Sequence, residues 1–399
     1  MGTTLDRRGF LKLGAASAGA ALGCHGGAVE VADGAPPGEM RYRPLGATGL
    51  RVSEVAFGAH GVDNAALMAA ALEAGVNTFC TSGGYLDGRE ESALGDALAR
   101  IGPPRDEIVI LSGADPRPSD TVESWLEGID ASLQRLQTDY LDVFYNAMVQ
   151  TPDQVRSEVV LEGFERARAA GKIRHLGVSG HHGGLEDCLE AAIGIESYDV
   201  FFTKYDFVSY PDQDDLLRRA AERGIGTMVF KTDAGHRQKE IKDLEAGGLS
   251  FKQATIRWAL GNPDVASVAV TMTSFDEIER AVGAVGVGLT SAEVAMLRRY
   301  ADEMYDQYCR FCATCEASCP NHVAVAEIMR YDMYFQYYGR EKEAMRLYRE
   351  LPDRATAAVC RDCSGACDAG CPFGRQVRLG LKDAHERLTW NPATACRDV

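Results

Sequence analysis

From Arg41 onward, short apolar runs alternate with stretches whose apolar residues recur every three or four positions. The runs predict strands and the stretches predict amphipathic helices. "RYRPLGATGLRVSEVAFGAHG" holds two strand-like runs around a glycine turn, with a strand near Val55–Gly58. Further strands are predicted at "VNTFC" (76–80), "EIVILS" (107–112), "YLDVFYN" (140–146), "IRHLGVS" (173–179), "DVFFTKY" (199–205), "GTMVFK" (226–231) and "SVAVTM" (267–272). Helical spacing fills the gaps, as in "SDTVESWLEGIDASLQRL" and "QDDLLRRAAERG". Strands mostly followed by helices predict an α/β fold, a (β/α)8 TIM barrel over residues 38–300. An open doubly wound sheet is the rival, but no G-x-G-x-x-G follows any strand.

Both ends depart from this pattern. "VAVAEIMRYDMYFQYYGREKEAMRLYREL" has helical spacing throughout, so residues 301–399 are expected to form a small, mainly helical domain. At the other end, Arg7 and Arg8 precede a weakly apolar Ala/Gly run, and Leu13 to Gly23 is too short to span a membrane. "DRRGFLK" resembles the core of a twin-arginine export signal, so residues 1–37 are read as signal and tether. The resemblance implies a periplasmic protein, or one otherwise outside the cytoplasmic membrane, exported folded with its cofactor inserted. Cys24 after "ALG" resembles a lipoprotein cleavage site, although Ala21 stands where that motif prefers Leu. A lipid anchor at Cys24 and cleavage near Ala28 both stay open. The 399 residues are 46% hydrophobic, an ordinary globular balance, and the net charge of -16 argues against nucleic acid as a partner.

"YRPLGATGLRVSEVAFG", "EAGVNTFCTSGGYLDGREESALGDAL", "LQTDYLDVF", "AAGKIRHLGVSG" and "IRWALGNPDVASVAV" are similar, in order, to the aldo-keto reductases. The resemblance implies a barrel that reduces carbonyls with NADPH. A Tyr serves as acid, a Lys and an Asp tune it, and a His orients the carbonyl. Here the Tyr is Tyr85, but the Asp position is Cys80, the Lys position Gly113 and the His position Ala147. A tyrosine with a pKa near 10 needs a cation beside it to work near neutral pH. Ordinary hydride transfer is therefore not expected. Ser179 and the stretch from Thr271 to Glu279 occupy positions that touch NADP in the family; the stretch lacks a Lys or Arg for a 2′-phosphate until Arg280. Strand ends at the C-terminal rim carry the chemistry of such barrels. His60, Cys80, Tyr85, His181, Lys204, Asp206 and Lys231 are expected there, with Tyr85, Lys204 and Lys231 as catalytic candidates. The competing expectation is that Lys204 and Lys231 are structural, paired with Asp206 or Asp233.

"CRFCATCEASCP" opens a different chemistry. Cys309, Cys312, Cys315 and Cys319 give C-x2-C-x2-C-x3-C-P, and Cys360, Cys363, Cys367 and Cys371 give C-x2-C-x3-C-x3-C-P. The first matches the bacterial ferredoxin run; the second carries one extra residue. Zinc would more naturally use paired C-x2-C units across a longer loop, and crowded thiols serve poorly as disulfide staples. Two [4Fe–4S] clusters are expected, on a domain that resembles the helical type of two-cluster ferredoxin. The resemblance implies that the fourth cysteine of each run ligates the other cluster. That assigns Cys309, Cys312, Cys315 and Cys371 to one cluster and Cys319, Cys360, Cys363 and Cys367 to the other. The whole then reads as an exported redox protein passing single electrons to or from a small-molecule substrate or a redox protein. A non-catalytic barrel used for binding and an NADPH carbonyl reductase with a rearranged site are the alternatives.

Overall fold

A computed structural model describes residues 38–117, 119–181, 184–208, 213–233, 245, 250–304 and 308–389. The expected signal, its tether and Cys24 lie outside the described residues. The described residues divide into two compact units, the barrel-bearing one ending at Leu297 and the other taking up the chain at Arg298. Among the described residues no helix is long and apolar enough to cross a membrane.

The first unit begins with an antiparallel hairpin, β1 (Tyr42–Pro44) and β2 (Arg51–Ser53). Eight parallel strands follow: β3 (Val55–Gly58), β4 (Thr78–Cys80), β5 (Val109–Ala114), β6 (Leu141–Asn146), β7 (Ile173–Gly180), β8 (Tyr198–Lys204), β9 (Gly226–Phe230) and β10 (Val265–Thr271). They close into a barrel in sequence order, with β10 pairing β3. These strands read as apolar runs because both faces are covered. Inward residues such as Val109, Leu111, Val143, Val200 and Met228 form one core with Leu45 and Val52 of the hairpin. The hairpin seals the N-terminal end of the barrel. A Cβ on Gly46 would lie 2.3 Å from the backbone nitrogen of Gly226, so only glycine permits this approach. The opposite rim is left for chemistry.

The helix Val122–Leu136 shows how the outer layer forms. Thr121 accepts from the Ser124 backbone N–H while Ser124 accepts from that of Thr121, a reciprocal cap. Trp125, Ile129, Leu133 and Leu136 recur along one face and are buried. Trp125 meets Phe144 of β6 edge-on, with ring centroids 5.4 Å apart. Each such side chain contributes about 1.5–3 kcal/mol by burial.

The second unit is helical and internally repeated. Its longer helices are Val325–Tyr337, Glu341–Glu350 and Val377–Leu388. Short helical turns at Thr314–Ser318 and Ala366–Gly370 follow left-handed residues, Ala313 (φ 58°) and Gly365 (φ 81°). Glu316 then accepts from the Ala326 backbone N–H at 2.7 Å, and Asp368 accepts from that of Arg378 at 2.8 Å. His322 (φ 54°) and Gly374 (φ 68°) mark matching bends three residues after Cys319 and Cys371. Residues 309–336 and 360–388 thus build the same scaffold twice. The extra residue of the second run falls between Cys363 and Cys367, beside left-handed Gly365.

Candidate functional site

The parallel strands bring the expected rim residues to one end of the barrel. Cys80 ends β4, Lys204 ends β8, Ser179 is the second-to-last residue of β7, and Lys231 follows β9. Tyr85 opens the turn Tyr85–Gly88, half-buried, with its ring 4.3 Å from that of His60. His181 is buried and meets Phe230 edge-on at 5.8 Å. Leu86, Asp87, Met148 and Lys231 all hold positive φ without being glycine, which concentrates backbone strain at this rim.

The two candidate lysines differ. Lys204 Nζ lies 3.1 Å from Asp206 Oδ2, and both side chains are buried. The Lys204 carbonyl accepts from Gln213 Nε2 at 2.8 Å, and Asp206 Oδ1 accepts from the Val208 backbone N–H at 2.9 Å. That is the structural pairing weighed above. Lys231 is half-buried on a left-handed backbone with φ 56°. Asp233 lies within 3.9 Å of Lys252. Ser179 is buried, and its carbonyl accepts from the Val149 backbone N–H at 3.1 Å.

Sequence reasoning missed Tyr145. It is almost fully buried, its hydroxyl donates to the Thr81 carbonyl, and its ring packs 5.4 Å from that of Phe202. Burial holds its pKa well above the ordinary tyrosine value, with Tyr85, Cys80 and Asp115 adding to the effect. Burial likewise pushes the Cys80 thiol up. Both groups are neutral at neutral pH. Tyr145 also covers Gly113, the position where the resemblance would put a lysine. The available signal was alternation: Val143, Tyr145 and Ala147 share one strand face, and that face points inward.

In the second unit the cysteines of the two runs meet across the repeat. Cys309, Cys312 and Cys315 line a cavity, partly open to solvent, together with Cys371 from the other run. Cys319, Cys363 and Cys367 are near enough to Cys360 for their charges to raise its pKa, which burial pushes up first. All eight thiols are unbridged. Several sulfurs receive donors: Thr314 Oγ1 to Cys312 at 3.4 Å, the Val323 backbone N–H to Cys319 at 3.4 Å, and Asn321 Nδ2 to Cys363 at 3.7 Å. Among the described residues no three or more His, Cys, Asp or Glu side chains close around a single metal ion. Iron–sulfur clusters are held by four Cys thiolates, and four thiols line this cavity.

Sequence comparison bears on the barrel. Residues 61–243 match the aldo/keto reductase family. A probable voltage-gated potassium channel subunit beta from Arabidopsis thaliana is 34% identical over 310 residues, which cover 62% of this chain and 92% of that protein. The chain belongs to the aldo/keto reductase family. L-galactose dehydrogenase from Arabidopsis thaliana is 26% identical over 286 residues, covering 62% of this chain and 88% of that enzyme. An aldo-keto reductase from Bacillus halodurans shares the fold, with a TM-score of 0.54 and 23% identity over 65% of this chain and 96% of that one. Homologues of this kind support an oxidoreductase. The cysteine runs lie beyond the family match.

Aldo/keto reductases commonly use NADP. The stretch after β10 fits a 2′-phosphate poorly in this member of the family. Glu277 Oε2 accepts from the Thr273 backbone N–H at 2.6 Å and from its hydroxyl at 2.8 Å. Ser274 caps the helix Phe275–Val282, and Arg280 Nε donates to the Asp276 carbonyl at 3.2 Å. These bonds tie Thr273 and Arg280 to the start of their own helix, and no Lys or Arg stands between Thr271 and Glu279.

Proposed function

We propose that this aldo/keto reductase is an exported oxidoreductase that passes single electrons through two [4Fe–4S] clusters, its barrel having lost the usual hydride machinery. The observation that carries the reading is the meeting of Cys309, Cys312 and Cys315 with Cys371 around one cavity, although Cys371 lies in a separate run. The neighbourhood of Cys319, Cys360, Cys363 and Cys367 supports the second site in the same way. When bound, such clusters supply reversible one-electron transfer. The chain's part is to hold them with eight thiolates, to donate hydrogen bonds to sulfur from Thr314, Val323 and Asn321, and to shield them with apolar residues such as Val325 and Val377.

The residues at the Asp, Lys and His positions, Cys80, Gly113 and Ala147, support the loss of hydride transfer, as does the lack of a Lys or Arg from Thr271 to Glu279. The rim around Tyr85 and Lys231 remains the candidate site for a small-molecule substrate. The twin-arginine-like start supports export of the folded, loaded protein, with a lipid anchor at Cys24 or cleavage near Ala28. Free NADPH is not available outside the cytoplasm, in keeping with the altered rim.

The test is the visible spectrum of the full chain purified without oxygen. A broad brown absorbance that dithionite bleaches and air restores supports the reading. A spectrum that dithionite leaves unchanged contradicts it. NADP retained through purification and released on denaturation would instead favour a rearranged carbonyl reductase.

A further inference from the structure

The repeat in the second unit allows the two cysteine sites to be compared position by position. This comparison rests on the cluster reading above. Four residues after Cys371 stands Arg375, which lines the first cavity; four residues after Cys319 stands Val323, an apolar buried residue. One residue after Cys309 stands Arg310, which is 3% exposed, lines the same cavity, and lies 3.9 Å over the ring of Phe373. Its counterpart after Cys360 is Arg361, which is exposed. Phe373 in turn corresponds to Asn321.

The nearby charges differ accordingly. The first site has Arg310 and Arg375 against the carboxyl of Glu316 beside Cys315. The second has Arg378, which donates to the carbonyls of Cys360 and Arg361 at 3.1 and 2.9 Å, against Asp368 beside Cys367. Asn321 adds one neutral donor to the second site, at 3.7 Å from Cys363. Reduction adds one negative charge to a cluster. A guanidinium held beside it in a partly buried setting favours the reduced form, and an exposed one is screened.

We infer that Arg310 and Arg375 make the cluster held by Cys309, Cys312, Cys315 and Cys371 the more easily reduced of the two, so that an arriving electron rests there. The two arginines are positioning residues for charge. The cluster of Cys319, Cys360, Cys363 and Cys367 is then the lower-potential partner, and the same scaffold sets the direction of electron flow by side chains at equivalent places.

The experiment is a redox titration of the full-length protein, purified anaerobically and followed by electron paramagnetic resonance, with iron and sulfide counted in each sample. The wild type is expected to show two waves. Arg375→Val, which installs the residue found at the equivalent place, is expected to disfavour reduction in the upper wave by roughly tenfold, about 59 mV for one electron. The lower wave stays in place. Arg375→Lys keeps the charge and leaves the upper wave close to wild type. Movement of the lower wave alone, equal movement of both, or movement of neither overturns the inference. If Arg375→Val loses iron, Arg310→Gln carries the same expectation and the same contrary outcomes. A wild type without any wave overturns the underlying cluster reading instead.

Discussion

A Cβ on Gly113 would lie 2.3 Å from Cδ2 of Tyr145 and 2.4 Å from the Tyr145 carbonyl oxygen. The strand end that would carry the family's lysine is therefore closed by a neighbouring aromatic ring and its backbone. A side chain at position 113 would have to displace that ring and backbone, so one substitution is not expected to restore the family's lysine. Gly113→Lys is expected to leave carbonyl reduction undetectable. Gly113→Ala alone should destabilise the barrel by about 1–3 kcal/mol, the usual cost of overpacking. Urea denaturation checks the second value, and a fully stable alanine variant would show that the ring can yield.

Lys204 and Asp206 form a buried pair, so removing one partner strands the other. Lys204→Ala is expected to lower stability by roughly 3–5 kcal/mol. Thermal melting decides between roles. A large fall in Tm marks Lys204 as structural, whereas lost ligand binding with an unchanged Tm would return it to the catalytic candidates. Lys231, half-buried on a strained backbone, is the better candidate for a working rim. Lys231→Ala should impair turnover or binding while moving Tm little.

The crossed cysteine sets make a specific demand on mutants. Cys371→Ser removes a ligand from the site of Cys309, Cys312 and Cys315, although it belongs to the other run. Iron content should fall by about half, and the lost signal should be the one that Arg375→Val shifts. If Cys371→Ser and Cys367→Ser affect the same cluster, each run holds its own and the crossing is wrong.

Burial pushes the Cys188 thiol up from 9.0 to about 12. The unfolded chain releases this proton from about pH 9, while the folded chain holds it. Stability from this group is therefore complete below pH 9 and falls as pH rises from 9 towards 12. Denaturation midpoints of wild type and Cys188→Ala across this range should converge in slope only if Cys188 titrates normally.

Much of the barrel was legible because its strands are apolar runs bounded by helical spacing and glycine turns. The positions of Cys80, Gly113 and Ala147 could be read from order along the chain. What filled the space they left could not, because alternation shows that Tyr145 faces inward without showing which neighbour it reaches. The pairing of Lys204 was similarly open until Asp206 was found 3.1 Å away. In the second unit the two cysteine runs were plain, but the longer repeat was hidden by the residue inserted after Cys363 and by dissimilar side chains. Backbone bends at His322 and Gly374, and acceptors at Glu316 and Asp368, made it visible.

The most direct measurement is the iron and acid-labile sulfide content of the intact chain, purified without oxygen. Two four-iron cubes give about eight of each per chain. A folded, colourless chain with no labile sulfide would contradict the central claim.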